Sequence, residues 1–146
     1  MQKQIGLLAL LGALCFPSYA ADGLDTFLSN VNIQARGNID GFAIKLSAQF
    51  GVSENQVKIV LGKVSQPADA FMIFQLGQMT RQPVDSVLRS YHSNKGRGWG
   101  ALAKDLGIKP GSAEFHALKR GELQFGNKGE AQESHGQGKG RGRNKH

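Results

Sequence analysis

The sequence predicts an all-α fold, a compact bundle of about six short helices followed by a disordered, glycine-rich basic tail. Three observations support this prediction. Apolar residues between Asp22 and Phe125 recur at the i, i+3, i+4, i+7 spacing of a helix face. Three prolines, Pro67, Pro83 and Pro110, lie at or just before helix starts, and glycines follow several helix ends. A length of 146 residues with 40% apolar content suits one small domain.

The N-terminal segment is typical of an export signal. Lys3 precedes an unbroken apolar run over residues 5–16, and Ser18 and Ala20 place small side chains before a cut at Ala21. The run is shorter than the roughly 20 residues that a spanning helix needs. We therefore expect a signal peptide over residues 1–20 and no stable membrane span in the mature chain. An uncleaved membrane anchor is the alternative.

Cys15 is the only cysteine, and it lies within the signal peptide. Lipid attachment at Cys15 is not favoured, because Leu14 stands where such sites need a small residue. The mature chain would then contain no disulfide, no thiolate nucleophile and no thiolate metal site. Its stability must come from packing alone.

Two helices are predicted between residues 23 and 50. The first covers about residues 23–35, although residues 31–35 also alternate like a strand. Asn38 can cap the second helix, and Gly51 can supply the left-handed residue after its end. The expected buried stripe of the second helix comprises Ile39, Phe42, Ala43, Leu46 and Phe50.

A capping box predicts the next helix start. The Ser53 hydroxyl accepts from the Gln56 amide, while the Gln56 side chain returns to the Ser53 amide. The core face of this helix comprises Val57, Val60, Leu61 and Val64. Pro67 then opens a helix whose residues 70–76 are apolar nearly all round, which indicates a helix enclosed by others. We expect it to be the central core helix.

Shorter helices complete the predicted domain, which covers residues 21–125. Pro83 starts one helix, and a glycine-rich break at residues 93–98 precedes another that ends at Gly107. Ser112 caps a short last helix that ends at Gly121. Their apolar faces comprise Val84, Val87, Leu88, Tyr91, Trp99, Leu102, Ala103, Leu106, Phe115 and Leu118.

The composition changes at Gly126. Residues 126–146 contain five basic and two acidic residues, and none that is aromatic or β-branched, so we expect disorder. Four cations near the end, Lys139, Arg141, Arg143 and Lys145, form a flexible basic arm. Such an arm attracts anionic polymers, including lipopolysaccharide phosphate, anionic lipid and nucleic acid. A purely solubilising tail is the alternative.

The loop over residues 95–100 is the candidate binding segment of the domain. Glycines at alternate positions are interleaved with Lys95, Arg97 and Trp99, and a helix follows. Backbone amides can turn toward one point in such a loop and bind an anion. The alternative is a flexible hinge with Trp99 in the core.

Catalytic patterns are lacking in the mature chain. We find no nucleophile elbow and no histidine pair at metal-ligand spacing, so we expect no catalytic residue, no metal site and no cofactor. A small hydrolase or metal-dependent enzyme is an alternative that requires a pocket with convergent polar groups. Residues 99–120 look like a DNA-reading helix-turn-helix, but the turn at 107–112 is long and contains a proline. Sequence-specific DNA is not a favoured partner, since an exported protein meets no chromosome.

Residues 98–119, GWGALAKDLGIKPGSAEFHALK, resemble a segment of small exported proteobacterial proteins of uncharacterised function, and residues 71–79 are similar in the same group. The resemblance implies a Gram-negative secretory origin and a helical fold, and it carries over no catalytic or binding residue. We therefore expect an exported non-enzymatic helical module, periplasmic or secreted, that contacts another envelope or extracellular component. The alternative is an anionic-polymer binder that uses the basic tail and the loop from Lys95 to Gly100.

Overall fold

The computed structural model describes residues 23–126, and this part of the chain is all-helical, as predicted. The predicted signal peptide and residues 127–146 of the predicted tail lie outside the described residues. Within them the structure has seven helices, in agreement with the predicted bundle of about six. The helices are α1 (Gly23–Gly37), α2 (Ile39–Phe50), α3 (Glu54–Leu61), α4 (Pro67–Thr80), α5 (Val84–Ser93), α6 (Trp99–Asp105) and α7 (Ala113–Arg120).

Three predicted side-chain caps are confirmed. Asn38 Oδ1 accepts the Gly41 N–H at 2.8 Å, Ser53 Oγ accepts the Gln56 N–H at 3.2 Å, and Ser112 Oγ accepts the Phe115 N–H at 3.1 Å. Each bond satisfies one amide that the first turn leaves without a partner. The return bond expected from the Gln56 side chain is not formed within the described residues, so the capping box was only half right.

The helix predicted over residues 23–35 is confirmed, and one expectation about the second helix was wrong. Residues 31–35 continue α1 and do not form a strand, because Val31 and Ala35 lie on the buried face of that helix. Ile39 is 47% exposed although it shares the apolar stripe of α2 with Phe42 and Leu46. Helical spacing tells which face of a helix is apolar, but not whether neighbouring helices extend as far as its first turn.

The central position predicted for α4 is confirmed. It packs against α1, α2, α3 and α5, and most of its length is buried. Phe71 is fully buried, with its ring centroid 5.4 Å from Phe27, 5.7 Å from Phe50 and 5.9 Å from Phe125. Aromatic pairs at these separations stabilise a core beyond the area that they bury. Phe125 is distant from Phe71 in sequence, and this ring contact packs the segment after α7 against the core.

The last helices close the bundle around α4. α5 packs on α4 and α6, and α7 packs on α6 and α1. Gly23 and Gly121 meet backbone to backbone where α1 starts and α7 ends, since a Cβ on either glycine would collide with main-chain atoms of the other segment. The loop between α5 and α6 lies beside the start of α4. None of the helices over residues 23–126 is both long and apolar enough to cross a membrane.

Candidate functional site

An open cleft of about 440 Å³ lies between the start of α4, the end of α5 and the loop that leads into α6. We call it the aromatic cleft. The side chains that give it its chemistry are Ser65, Asp69, Tyr91, Asn94, Lys95 and Trp99. Its volume falls in the usual range for small-ligand sites, roughly 300 to 1,000 Å³.

Tyr91 and Asp69 form the polar floor of the aromatic cleft. The Tyr91 hydroxyl donates to Asp69 Oδ2 at 2.9 Å, and the same oxygen accepts the Gln66 N–H at 2.9 Å. The Ser65 N–H donates more weakly to the Tyr91 oxygen, at 3.4 Å. Burial raises the pKa of the Tyr91 phenol above its ordinary value of 10.0, and the Asp69 carboxylate raises it further, while the bonds from Ser65 oppose the change.

Trp99 forms the apolar wall. Its ring stacks on Tyr91 with centroids 5.5 Å apart and planes 21° from parallel. The chain reaches this position by turning at Gly96 and Gly98, whose φ angles of 85° and 80° lie in the region that favours glycine. The alternating glycines therefore shape the turn that carries Trp99 back to Tyr91. Trp99 is half-buried and packs against the hydrophobic core.

The three predicted binding residues of the loop separate in the fold. Lys95 and Trp99 line the aromatic cleft, and Lys95 makes no ion pair with another residue of the 23–126 segment. Arg97 instead bonds to Asn94 Oδ1 at 2.6 Å and to Asp105 Oδ2 at 3.2 Å. We expected Lys95, Arg97 and Trp99 to bind one anion together. The fold instead places Lys95 and Arg97 in different cavities. The predicted tail residues Lys139, Arg141, Arg143 and Lys145 lie outside the described residues.

Arg97 lines a second open cavity of about 440 Å³ on the other side of Trp99. We call it the basic groove. Three of its side chains are cationic and one is acidic, and aromatic rings contribute to its walls. The residues concerned are Arg97, Lys104, Lys119, Asp25, Trp99 and Phe115. The lining of the basic groove carries more positive than negative side chains. In the aromatic cleft, the positive charge of Lys95 is balanced by the negative charge of Asp69.

Sequence reasoning missed Ser65 and Asp69 as site residues. Asp69 lies in the first turn of α4 and Ser65 lies two residues before the helix, 30 and 34 residues before Trp99 in the chain. The one available signal was the spacing of Gln66 and Asp69 around Pro67, which places the Asp69 carboxylate where it accepts the Gln66 amide. That spacing predicts a helix start but does not tell which later residue folds against it.

No three His, Cys, Asp or Glu side chains converge on a common point in the part of the chain that the structure describes. No protein-family model matches the chain, and no curated protein and no solved structure is similar to it.

Proposed function

We propose that this protein is an exported, non-enzymatic helical module, periplasmic or secreted in a Gram-negative bacterium, that binds another envelope or extracellular component through the aromatic cleft. The observation that carries the proposal is the stacked pair of Tyr91 and Trp99 at the wall of an open cleft that also presents Asp69 and Lys95. Aromatic rings flanked by a few oriented polar groups are typical of a binding site.

A binding role is favoured over catalysis because the Tyr91 hydroxyl and the Asp69 carboxylate of the cleft are bonded to each other. The phenol of Tyr91 is bonded to Asp69, and burial raises its pKa, so it remains protonated at neutral pH. A general base or nucleophile needs the opposite, a group whose pKa lies near the working pH. The hydrogen bonds of Asp69 Oδ2 to Gln66 and Tyr91 instead hold two helices together.

The binding test is affinity capture from an envelope extract with the chain expressed from Met1 and purified in the form that the cell accumulates. Lys95→Ala and Trp99→Phe change the aromatic cleft, whereas Ile59→Ser changes an exposed residue on α3 and is the matched control. We expect one component to be retained by the wild type and by Ile59→Ser, and to be reduced several-fold by both cleft variants. Retention lost with Ile59→Ser alone would place the contact on another face and contradict the proposal.

The export test is the mass of the native product. A chain beginning at Ala21 and recovered outside the cytoplasm supports the proposal. A cytoplasmic product that retains Met1 contradicts it, because the aromatic cleft would then face cytoplasmic ligands.

A second candidate function, anionic-polymer binding, is favoured by the basic groove. Arg97, Lys104 and Lys119 line one cavity that contains one acidic residue, Asp25, although Arg97 also pairs with Asp105 outside it. The tail cations would add to the positive charge of the chain. Binding to lipopolysaccharide micelles and to single-stranded DNA, measured over a range of salt, tests it. Removing residues 127–146 should weaken binding and flatten the salt dependence, and Lys104→Gln should lower the log–log slope by about 1 for DNA. Unchanged affinity in both variants would eliminate this function.

A further inference from the structure

We infer that the aromatic cleft binds a neutral sugar residue of a glycan. The inference rests on the proposed function, since it names the ligand class of the same cleft. It follows from three properties of the site: an aromatic wall, two polar groups of opposite charge, and a separate groove that collects the excess positive charge.

The aromatic wall fits the flat face of a sugar ring. Tyr91 and Trp99 are both half-buried, stack on each other with centroids 5.5 Å apart, and line the cleft, so a sugar would contact a ring face that is turned away from the stack. A pyranose presents several C–H groups on one face, and their positive edge is attracted to the negative face of an aromatic ring. The cavity of about 440 Å³ is open to solvent, so a longer chain can extend out of it.

The polar groups of the cleft fit hydroxyl groups better than they fit an ion. Asp69 uses one carboxylate oxygen for Gln66 and Tyr91, and its other oxygen makes no hydrogen bond within the described chain. Lys95 adds an ammonium group without an ion-pair partner in that same region. A sugar hydroxyl both donates and accepts, so neighbouring hydroxyls can donate to Asp69 and accept from Lys95.

Charged ligands are disfavoured by the same pair. An anion entering the aromatic cleft would approach the Asp69 carboxylate, and a cation would approach Lys95, so each would lose to repulsion part of what it gains by attraction. Anions have a better site on the other side of Trp99, where Arg97, Lys104 and Lys119 line the basic groove. The two cavities thus separate neutral from anionic ligands.

The test is a fluorescence titration, because Trp99 is the only tryptophan. The chain is expressed from Met1, purified in the form that the cell accumulates, and titrated with cellotetraose, maltotetraose and N-acetylchitotetraose. Concentrations reach about 10 mM, where a ligand with a Kd of about 1 mM is nearly saturating. Choline chloride and inorganic phosphate are the charged probes. We expect a saturable change in Trp99 emission with at least one oligosaccharide and none with choline. Because Trp99 also lines the basic groove, any response to phosphate should be the same in Asp69→Asn as in the wild type.

Two substitutions separate binding at the cleft from binding elsewhere. Asp69→Asn keeps an oxygen acceptor for Gln66 and Tyr91 but turns the remaining acceptor into a donor, so sugar affinity should fall by about ten-fold. Asp85→Asn is the matched control, because Asp85 is an exposed acid in the first turn of α5 that does not line the cleft. Its affinity should equal that of the wild type.

Several results would overturn the inference. They are the absence of a saturable response to all three sugars in a chain with a helical circular dichroism spectrum, a response to choline or phosphate that Asp69→Asn alters, and equal sugar affinity for Asp69→Asn and wild type. If the sugars fail while affinity capture still depends on Lys95 and Trp99, the proposed function survives and only the ligand class is wrong. If capture also fails, both are rejected.

Discussion

Tyr91 donates its phenolic hydrogen to the carboxylate of Asp69 across 2.9 Å, and this bond joins the end of α5 to the first turn of α4. The same carboxylate oxygen accepts the Gln66 N–H, so one atom both caps α4 and holds α5 against it. The ring of Tyr91 in turn stacks on Trp99 and positions the start of α6. A single tyrosine therefore connects three helices at the edge of the aromatic cleft.

Tyr91→Phe should lower the free energy of unfolding by about 1 kcal/mol, the usual net value of one hydrogen bond. Phenylalanine keeps the ring against Trp99 but leaves Asp69 without the phenolic donor. Urea denaturation followed by circular dichroism measures the loss. A variant as stable as the wild type would mean that the bond contributes nothing in solution.

Ionisation of the Tyr91 phenol should lower the stability of the fold at alkaline pH. Burial and Asp69 raise the pKa of Tyr91 in the folded chain above its unfolded value of 10.0, so folding favours the protonated phenol. This contribution is complete below pH 10 and is lost as pH rises through the raised pKa of the folded state. The difference in stability between wild type and Tyr91→Phe, measured from pH 8 to pH 12 or about that range, isolates the effect from lysine titration. A difference that grows with pH would contradict the assigned direction.

Arg81→Gly should stabilise the protein. Arg81 follows α4 at a φ of 54° and is the only non-glycine residue with positive φ among residues 23–126. Replacing Arg81 by glycine removes the conformational cost of a side chain at this φ, about 1 to 2 kcal/mol. Glycine offsets about 0.5 to 1 kcal/mol of this gain, because it loses more conformational freedom on folding. The expected net gain is about 0.5 to 1 kcal/mol in urea denaturation. Arg81→Ala, which keeps the strained conformation, is the control and should give no gain.

Gly121→Ala should destabilise more than Gly51→Ala. The two glycines end helices with nearly equal φ angles of 68° and 67°, so the conformational cost is the same, about 1 to 2 kcal/mol. A Cβ at Gly51 meets open space, whereas a Cβ at Gly121 collides with the backbone of Gly23. The collision should add about 1 to 3 kcal/mol. Equal thermal midpoints for the two variants would show that α1 and α7 do not meet in this way.

Two residues of the same α2 stripe should respond differently to truncation. Leu46 is 0% exposed, and Leu46→Ala should cost about 2 to 5 kcal/mol because it leaves a cavity. Ile39 is 47% exposed, and Ile39→Ala should change stability by no more than about 0.5 kcal/mol. Chemical denaturation of both variants compares them. A large loss of stability in Ile39→Ala would support the sequence-based prediction that Ile39 is buried.

The helices of this protein could be predicted well, because their signals are local. Asn38, Ser53 and Ser112 cap helices through bonds to amides three residues away, and such short-range chemistry is visible in the sequence. Periodicity identified α4 as the central helix for the same reason. Errors arose where neighbours decide the outcome, as for Ile39 at the first turn of α2.

The binding loop was recognised from its glycines, cations and tryptophan, but its grouping was wrong. Lys95 lines the aromatic cleft and Arg97 lines the basic groove, where Asp105 and Asn94 hold its guanidinium, while Trp99 lies between them and lines both cavities. Asp105 is eight residues away, and no local pattern predicts that pairing.

By itself, the amino-acid order determined where helices start and stop and which of their faces are apolar, since caps, turns and periodicity act over a few residues. Only the tertiary structure decided that Asp69, Tyr91 and Trp99 share one cleft. These residues come from three helices, and their meeting depends on how α4, α5 and α6 pack. Packing is settled by the summed burial of the whole core, which no short stretch of sequence contains.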